Sequence, residues 1–350
     1  MDNTLAIDLA SLGLTIDVNL TIAWALVLAA AIFIYVALDG FDLGIGILYP
    51  FYPKRSERDL LMNSVAPVWD GNETWLVLGG GGLFAAFPLA YAIIMPALYP
   101  PIIAMLLALV FRGVAFEFRW RTERWRPLWD WAFIGGSTMA AFAQGIALGG
   151  LLQGIEVSGR SYAGNWWDWA SPFSLVCGVA VVCGYALLGA TWLTMKLEGE
   201  PQTLARNLAW RFGVATVGFI VLVSLFTPYL SPGYFDRWFS FPNILYVAPV
   251  PILVAALTFA LFRRLNAVGH DYWPFVIALA LFFVTFVGLG VSMWPYVIPT
   301  SVTIYDAAAP FKSQLFMFVG AVVMVPIILA YTIYAYWVFR GKLDPSKGYH

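Results

Sequence analysis

The chain has 350 residues, of which 61% are hydrophobic and only 11% are charged, and its formal net charge is -1. Soluble globular proteins carry roughly 25% charged residues, so this composition argues against a soluble protein, which would have too little polar surface to cover itself. The near-zero charge also argues against a nucleic-acid partner, because binding to a polyanion requires a basic surface. The composition predicts an all-α integral membrane protein whose surroundings are the lipid bilayer.

Nine apolar segments are long enough to cross a bilayer, since a membrane-spanning helix needs about 20 mostly apolar residues. In chain order they lie at 20–48, 60–86, 89–118, 129–153, 172–197, 207–230, 241–262, 273–298 and 314–339. Only a short corner near Pro88 joins the second segment to the third. No long polar stretch interrupts the series, so the sequence predicts a single membrane domain over 1–350.

The basic residues predict the orientation of these segments. Fifteen of the 19 Lys and Arg residues lie in one set of alternate loops and ends, three lie in the opposite set, and Arg112 lies within a segment. Cytoplasmic loops collect Lys and Arg. The asymmetry therefore predicts nine spans with the N-terminus in the periplasm and the C-terminus in the cytoplasm.

Charged residues inside the spans are the first candidates for function, because they are costly in the bilayer unless paired, protonated or hydrated. The first span contains Asp39 and Asp42. A spacing of three places both carboxylates on one face of a helix. Gly40 and Gly44 form a small-xxx-small step, which predicts the close approach of another helix.

The second span contains Asn63, Asp70, Asn72 and Glu73. Asn63 and Asp70 are seven residues apart, so a continuous helix would place them nearly in register after two turns. Glu73 lies one further turn along. The run 79–82 consists of four glycines and is typical of close helix packing, since a phosphate-binding loop would need a neighbouring strand and a lysine.

The third span contains Arg112 and Glu117, which point to different sides of a helix because they are five residues apart. In the predicted topology, these two residues and Asp39, Asp42 and Asp70 all fall in the cytoplasmic halves of neighbouring helices. Carboxylates relay protons inside membranes, so the cluster is typical of a proton uptake path. The alternative is structural: Arg112 neutralises one carboxylate, and the others face water or a neighbouring chain.

The sequence offers few ligands for a redox metal. The two histidines are His270, in a predicted loop, and His350, the last residue. Haem iron is usually held by His, Met, Cys or Tyr, and no predicted span contains a histidine. We find no C-x-x-C-H attachment sequence, zinc spacing or nucleotide-binding loop. We therefore expect no redox metal on this chain itself.

Several stretches together resemble a known family. Residues 38–46 read L-D-G-F-D-L-G-I-G, residues 66–76 read A-P-V-W-D-G-N-E-T-W-L, and residues 111–119 read F-R-G-V-A-F-E-F-R. Two shorter echoes lie at 151–154 and 293–299. These motifs resemble those of subunit II of cytochrome bd-type quinol oxidases, and the resemblance runs through nearly the whole chain.

The resemblance implies two four-helix bundles, at 20–153 and 172–298, followed by a ninth helix at 314–339. It implies a non-haem subunit in the bacterial inner membrane, paired with a subunit I that carries haems b and d. The complex would oxidise quinol and reduce dioxygen to water with protons from the cytoplasm. Some members also have a structural quinone or a small single-helix accessory subunit.

The resemblance also implies roles for individual residues. The family's proposed proton path corresponds to Asp39, Asp70 and Glu117, where Glu117 replaces the Asp of some relatives. Trp75 occupies the position that has been linked in relatives to a dioxygen channel. The expected supporting polar residues are Asp42, Asn63, Asn72, Glu73 and Arg112. Glu73 replaces a Gln found in some relatives, which adds a charge.

Two other classes of function would also explain buried carboxylates among many helices. A secondary transporter often has inverted repeats and broken helices near the midplane, whereas here the charges gather toward one side and no internal repeat is evident. A purely structural assembly subunit would need no proton path. Copurification with a haem-bearing partner separates the oxidase from the transporter, and substitution of the carboxylates separates conduction from scaffolding.

Overall fold

The chain is almost entirely helical in a computed structural model, which describes residues 4–9, 14–267 and 269–343. The helices of this described part are α1 (Leu20–Leu48), α2 (Arg55–Asn63), α3 (Trp69–Ala86), α4 (Pro88–Ala97), α5 (Tyr99–Arg121), α6 (Arg126–Leu152), α7 (Pro172–Lys196), α8 (Gly199–Leu230), α9 (Pro232–Phe239), α10 (Asn243–Val247), α11 (Pro249–Leu265), α12 (Trp273–Met293), α13 (Ile304–Ala307) and α14 (Phe311–Val338). Three antiparallel hairpins pair β1 (Thr4–Leu9) with β2 (Leu14–Asn19), β3 (Val157–Ser158) with β4 (Ser161–Tyr162), and β5 (Tyr296–Ile298) with β6 (Val302–Thr303).

Eight helical segments in the described residues are long and apolar enough to cross a membrane. They are α1, α5, α6, α7, α8, α10 with α11, α12 and α14. This pattern confirms a polytopic helical membrane protein. It differs from the predicted series in the second segment, 60–86, which is not one helix.

Pro67 explains why the second segment is divided. Helix α2 ends at Asn63, five residues form a turn, and α3 begins at Trp69. Proline has no backbone N–H to donate, and it disfavours helical geometry in the residue before it. The expected helical register between Asn63 and Asp70 is therefore wrong, because the two residues lie on different helices. What remains, α3, has 18 residues and carries its polar side chains in the first two turns.

Prolines also divide the third predicted span and set its ends. Pro88 is the first residue of α4, and Pro100 and Pro101 lie in the first turn of α5, where a missing N–H costs nothing. Leu98 between the two helices has a φ of -111°. The segment predicted at 89–118 is consequently a short apolar helix followed by a long one.

The centre of the fold is the crossing of α1 and α7. A Cβ added at Gly44 would overlap the backbone carbonyl of Tyr185, and one at Gly189 would lie 2.6 Å from the carbonyl carbon of Gly44. The expected role of Gly44 in a close helix approach is confirmed. Beside the crossing, the rings of Phe41 and Trp192 stack with centroids 4.2 Å apart. Helix α1 also packs against α3, α6 and α14, so its carboxylates face several helices at once.

Candidate functional site

A cluster of ion pairs surrounds Arg112 in the interior of the chain. The guanidinium extends from α5, with Nη1 3.2 Å from Asp39 Oδ1 and 2.5 Å from Glu73 Oε1. Its Nη2 lies 3.8 Å from Asp42 Oδ2. Asp39 and Asp42 come from one face of α1, as their spacing predicts, and Glu73 comes from α3. The cluster therefore joins three helices that the sequence separates by up to 73 residues.

Burial distinguishes the members of this cluster from one another. Arg112, Asp39 and Asp42 have no solvent exposure, whereas the Glu73 side chain is 25% exposed. Glu73 therefore lies between the buried carboxylates and the outer surface of α3. Three carboxylates around one guanidinium give an excess of negative formal charge, which is costly in a buried position.

Asn72 extends the cluster toward the last helix. Its Nδ2 donates to Asp42 Oδ2 at 2.7 Å, and the hydroxyl of Tyr336 on α14 donates to Asn72 Oδ1 at 2.9 Å. Asn72 itself is almost completely buried. The Asn72 amide thus links Asp42 to α14 through two hydrogen bonds.

Three predicted site residues lie apart from the buried cluster. Asp70 is exposed at the start of α3, three residues before Glu73. Glu117 is 66% exposed near the end of α5 and forms an ion pair with Arg121 at 3.5 Å. Asn63 is half-buried at the end of α2. The structure therefore brings Asp39, Asp42, Asn72, Glu73 and Arg112 together and leaves the other three near the surface of this chain.

Trp75 lines an apolar groove between α1, α3 and α14. The side chain is only 2% exposed, and its Nε1 has no hydrogen-bond acceptor among the described residues. The groove has a volume of about 380 Å³, and its walls include Trp24, Gly82 and Met324. An apolar groove of this kind suits a small uncharged molecule better than an ion.

A second ion cluster lies two turns along α5 from the first. Arg119 is completely buried, with Nε 2.6 Å from Asp130 Oδ1 and Nη1 2.7 Å from Asp59 Oδ1. Arg58 also contacts Asp130, at 3.3 Å, and the Tyr49 hydroxyl donates to the same carboxylate at 3.1 Å. This cluster fastens α2 and α6 to the end of α5.

Aromatic rings fill the space between the two clusters. Trp69 and Phe116 stack with centroids 4.8 Å apart and planes 5° from parallel. Phe116 meets Phe133 edge to face at 5.2 Å, and Phe133 meets Tyr49 in the same way at 5.3 Å. The guanidinium carbon of Arg112 lies 5.6 Å from the Phe116 ring centroid. An apolar layer thus separates the two sets of charges.

Sequence reasoning missed several polar residues that the fold brings to these clusters. Asp59 lies in a charged stretch that resembles an ordinary loop, and Asp130 lies just inside an apolar segment. Tyr336 is one of 17 tyrosines, most of which would be expected at membrane interfaces. Of the three, Asp130 could have been identified from the sequence, because a carboxylate within an apolar segment needs a partner.

The described residues do not fit a metal centre. They contain no group of three or more His, Cys, Asp or Glu side chains that could hold a metal ion. His270 is exposed in the loop between α11 and α12. Neither ion cluster offers a histidine or thiolate, the ligands that bind haem iron most often.

Comparisons with known proteins point to one family. The family profile described as cytochrome bd terminal oxidase subunit II matches residues 20–339. The probable cytochrome oxidase subunit 2 of Haemophilus influenzae is 32% identical, with 92% of this chain and 94% of that protein covered. The cytochrome bd-I ubiquinol oxidase subunit 2 of Escherichia coli K12 is also 32% identical, with 91% and 94% covered. The cytochrome bd ubiquinol oxidase subunit 2 of Bacillus subtilis is 29% identical, with 92% and 96% covered.

A solved structure has the same fold. One chain of the bd oxidase from Geobacillus thermodenitrificans superposes with a TM-score of 0.77, covering 92% of this chain and 99% of that one, at 19% sequence identity.

Proposed function

This chain belongs to the family of cytochrome bd terminal oxidase subunit II, and we propose that it carries protons toward the site of dioxygen reduction through the carboxylates around Arg112. Cytochrome bd complexes are quinol:oxygen oxidoreductases of respiratory electron transport, and this chain is a multi-pass subunit in the bacterial inner membrane. The observation that carries the proposal is the buried set of three carboxylates around one guanidinium.

The proposed topology has nine spans, with α3 as the additional span besides the eight long apolar ones. The N-terminus would lie in the periplasm and the C-terminus in the cytoplasm. Residues 20–153 and 172–298 would form the two bundles, and 314–339 the ninth helix. The 15-to-3 division of the basic residues supports this arrangement. With it, both ion clusters lie in the cytoplasmic half of the membrane.

The proposed proton path runs from Asp70 through Glu73 to Asp39. Asp70 and Glu73 are three residues apart on α3 and so share a face of the helix, and Glu73 contacts Arg112, which in turn contacts Asp39. Glu117, exposed near the end of α5, would gather protons at the cytoplasmic surface. Reduction of dioxygen to water consumes protons, and carboxylates are the groups that relay them inside membranes.

The proposed partner is a subunit I that holds haems b and d, because the described residues of this chain do not fit a haem. Haem supplies the redox chemistry when the complex is assembled, and this chain supplies protonatable groups and a scaffold. The groove beside Trp75 is the proposed passage for dioxygen, and its apolar walls would also suit the tail of a structural quinone. A small single-helix accessory subunit is part of the same proposed assembly.

Substitution of Asp70 by Asn tests the proton path. The amide preserves the shape of the side chain but does not titrate, so quinol oxidase turnover should fall about tenfold or more, while haem content stays normal. Asp236→Asn, on the exposed surface of α9, is the matched control and should leave turnover unchanged. Normal turnover in Asp70→Asn would refute the path. Loss of haem together with turnover would favour the structural alternative, in which these carboxylates hold the subunits together.

Substitution of Trp75 tests the dioxygen passage separately. Trp75→Ala should change the apparent KM for dioxygen and leave turnover at saturating dioxygen unchanged, because only access is altered. Trp75→Phe, which keeps most of the apolar volume, should have a smaller effect. An unchanged KM for dioxygen in both variants would contradict this assignment.

A further inference from the structure

Two exposed arginines lie in the last turn of α11, at the edge of the fold. They are Arg263 and Arg264. Together with Phe259 and Ala267 they line a groove of about 470 Å³ on the exposed face of this helix. In the proposed topology, this end of α11 lies at the cytoplasmic surface of the membrane, at the depth of the lipid head groups.

Neither arginine has an acidic partner in the part of the chain that the structure describes. The only acidic residue of the loop between α11 and α12 is Asp271. Both of its carboxylate oxygens are already engaged, Oδ1 by Arg206 at 2.8 Å and Oδ2 by Lys342 at 2.9 Å. The groove therefore presents two positive charges that the described residues do not neutralise.

The end of α11 also does not need these arginines as caps. Basic side chains in a last helical turn often hydrogen-bond the terminal carbonyls, but here Arg206 of α8 does so, donating from Nη1 to the carbonyls of Leu265 at 3.2 Å and Ala267 at 2.6 Å. Arg264 instead lies over the ring of Trp273, with its guanidinium carbon 5.7 Å from the ring centroid. This contact uses the flat face of the guanidinium and leaves its N–H groups available to a ligand.

An apolar strip runs along α11 from the arginines toward the middle of the membrane. Ile252, Ala256 and Phe259 precede Arg263 at spacings of three or four residues, so they lie on one side of the helix. Ile252 is 65% exposed and Phe259 is 70% exposed, whereas Leu261, on the opposite side, is completely buried. The exposed face thus combines a cationic end with a long apolar strip, which is the inverse of a lipid that has an anionic head and an apolar tail.

We propose that this groove binds an anionic phospholipid, whose phosphate is held by Arg263 and Arg264 and whose acyl chain lies against Phe259. Guanidinium groups bind phosphate through paired N–H donors, and basic pockets on the cytoplasmic side of membrane proteins bind anionic head groups. A zwitterionic head group would bring its own cation next to the two arginines, so the site should select for net charge. It is independent of the proposed proton path, because neither arginine belongs to the cluster around Arg112.

The test is a lipid titration of the assembled, delipidated oxidase complex, read by native mass spectrometry. The probes are phosphatidylglycerol and phosphatidylcholine with identical acyl chains. In the double variant Arg263→Gln, Arg264→Gln, one bound phosphatidylglycerol should dissociate about thirtyfold more readily than in the wild type, the combined effect of two basic side chains near an anionic lipid. Binding of phosphatidylcholine should not change. The matched control, Arg124→Gln with Arg340→Gln, removes the same charge from two other exposed positions and should keep wild-type binding.

A second variant tests the apolar part of the site. Phe259→Ala keeps both charges and should weaken phosphatidylglycerol binding about fivefold, because less apolar surface is covered. If the double variant does not assemble with haem, the single variants Arg263→Gln and Arg264→Gln decide, each with an expected loss of about fivefold.

Four results would overturn the proposal. Phosphatidylglycerol might bind equally to the wild type and the arginine variants, or phosphatidylcholine binding might fall as much as phosphatidylglycerol binding, in which case head-group charge is not recognised. Displacement of the lipid by inorganic phosphate would indicate a site for a soluble anion. Loss of a small subunit in place of a lipid would show that a protein covers the groove.

Discussion

Arg112 and Arg119 lie two turns apart on one face of α5, and both side chains are completely buried. Each is held by carboxylates from other helices: Arg112 by Asp39, Asp42 and Glu73, and Arg119 by Asp59 and Asp130. The stacked rings of Trp69 and Phe116 separate the two sets. Helix α5 is thereby fixed in both rotation and depth relative to α1, α3 and α6.

Replacement of Arg112 by Met should severely destabilise the complex. It leaves the Asp39, Asp42 and Glu73 carboxylates without their cation, and the loss of one partner from a buried ion pair costs about 3–5 kcal/mol. The measurement is the yield and the thermal midpoint of the purified complex. Arg121→Met, at a position with 77% side-chain exposure, is the control and should have little effect. If the Arg112→Met complex has the same thermal midpoint as the wild type, the three carboxylates do not need the Arg112 cation and the prediction is wrong.

Replacement of Gly44 by Ala should weaken the crossing of α1 and α7. The added methyl group would overlap the backbone carbonyl of Tyr185, so the two helices must separate, at a cost of about 1–3 kcal/mol. A lower thermal midpoint is expected. Gly218→Ala, on α8, makes the same change where no atom lies within 4 Å of the new Cβ. Equal midpoints for the two variants would contradict the close crossing.

The loop carboxylate Asp271 should make stability depend on pH. Burial alone would raise the pKa of Asp271, but hydrogen bonds from Lys342 and Gln202 and the charges of Lys342 and Arg206 outweigh burial and lower it. A lowered pKa means that the native state binds fewer protons than the unfolded state. The stabilisation is therefore complete above the ordinary carboxyl range of about 4 and is lost as the pH falls through the lowered pKa.

The corresponding variant is Asp271→Asn. It should lower the thermal midpoint at pH 7, and the difference from wild type should shrink as the pH falls below about 4. Asp236→Asn, at an exposed position on α9, is the control. A difference from wild type that stays constant across this pH range would mean that the titration of Asp271 does not contribute.

The number of spans determines where the two ends of the chain lie. Nine spans place the two ends on opposite sides of the membrane, and the division of the basic residues predicts that the C-terminus is the cytoplasmic end. A reporter that functions only in the cytoplasm should therefore be active when fused after His350. A reporter inserted in the hairpin at Gly159 should be active only if it functions in the periplasm. Activity of a periplasmic reporter after His350 would rule out nine spans with an external N-terminus.

Much of this fold follows from apolar length, and the departures from prediction have local causes. The α1 carboxylates share a face because a helix repeats every 3.6 residues, as their spacing predicts, but the sequence did not predict that both lie beside Arg112. The register from Asn63 to Asp70 failed because Pro67 ends the helical hydrogen bonding between them. A run of glycines does not by itself show which of its members lie at a helix contact. In the run 79–82, a Cβ at Gly82 would collide with Leu28, whereas one at Gly80 or Gly81 would meet nothing within 4 Å.

Tyr185 donates a hydrogen bond to Gln144, and Gln144 donates one to Tyr35. These contacts could not be predicted from the three segments taken separately. Each of these residues lies between apolar neighbours in its helix, and isolated polar residues of this kind are common at helix contacts in membranes. Their connection depends on the crossing of α1, α6 and α7, which depends in turn on glycines such as Gly44 and Gly189. Contacts of this kind arise from helix packing that no local sequence pattern encodes.

The division of the second predicted segment at Pro67 has a consequence for biogenesis. Helix α3 is only 18 residues long and contains Asp70, Asn72 and Glu73 in its first two turns. In the proposed nine-span topology we therefore expect it to be a poor substrate for independent insertion by the translocon, which penalises charged residues within a helix. The cation that compensates Glu73 is Arg112, which is synthesised later, on α5. In that topology we expect the insertion of α3 to depend on the emergence of α5, whose Arg112 contacts Glu73.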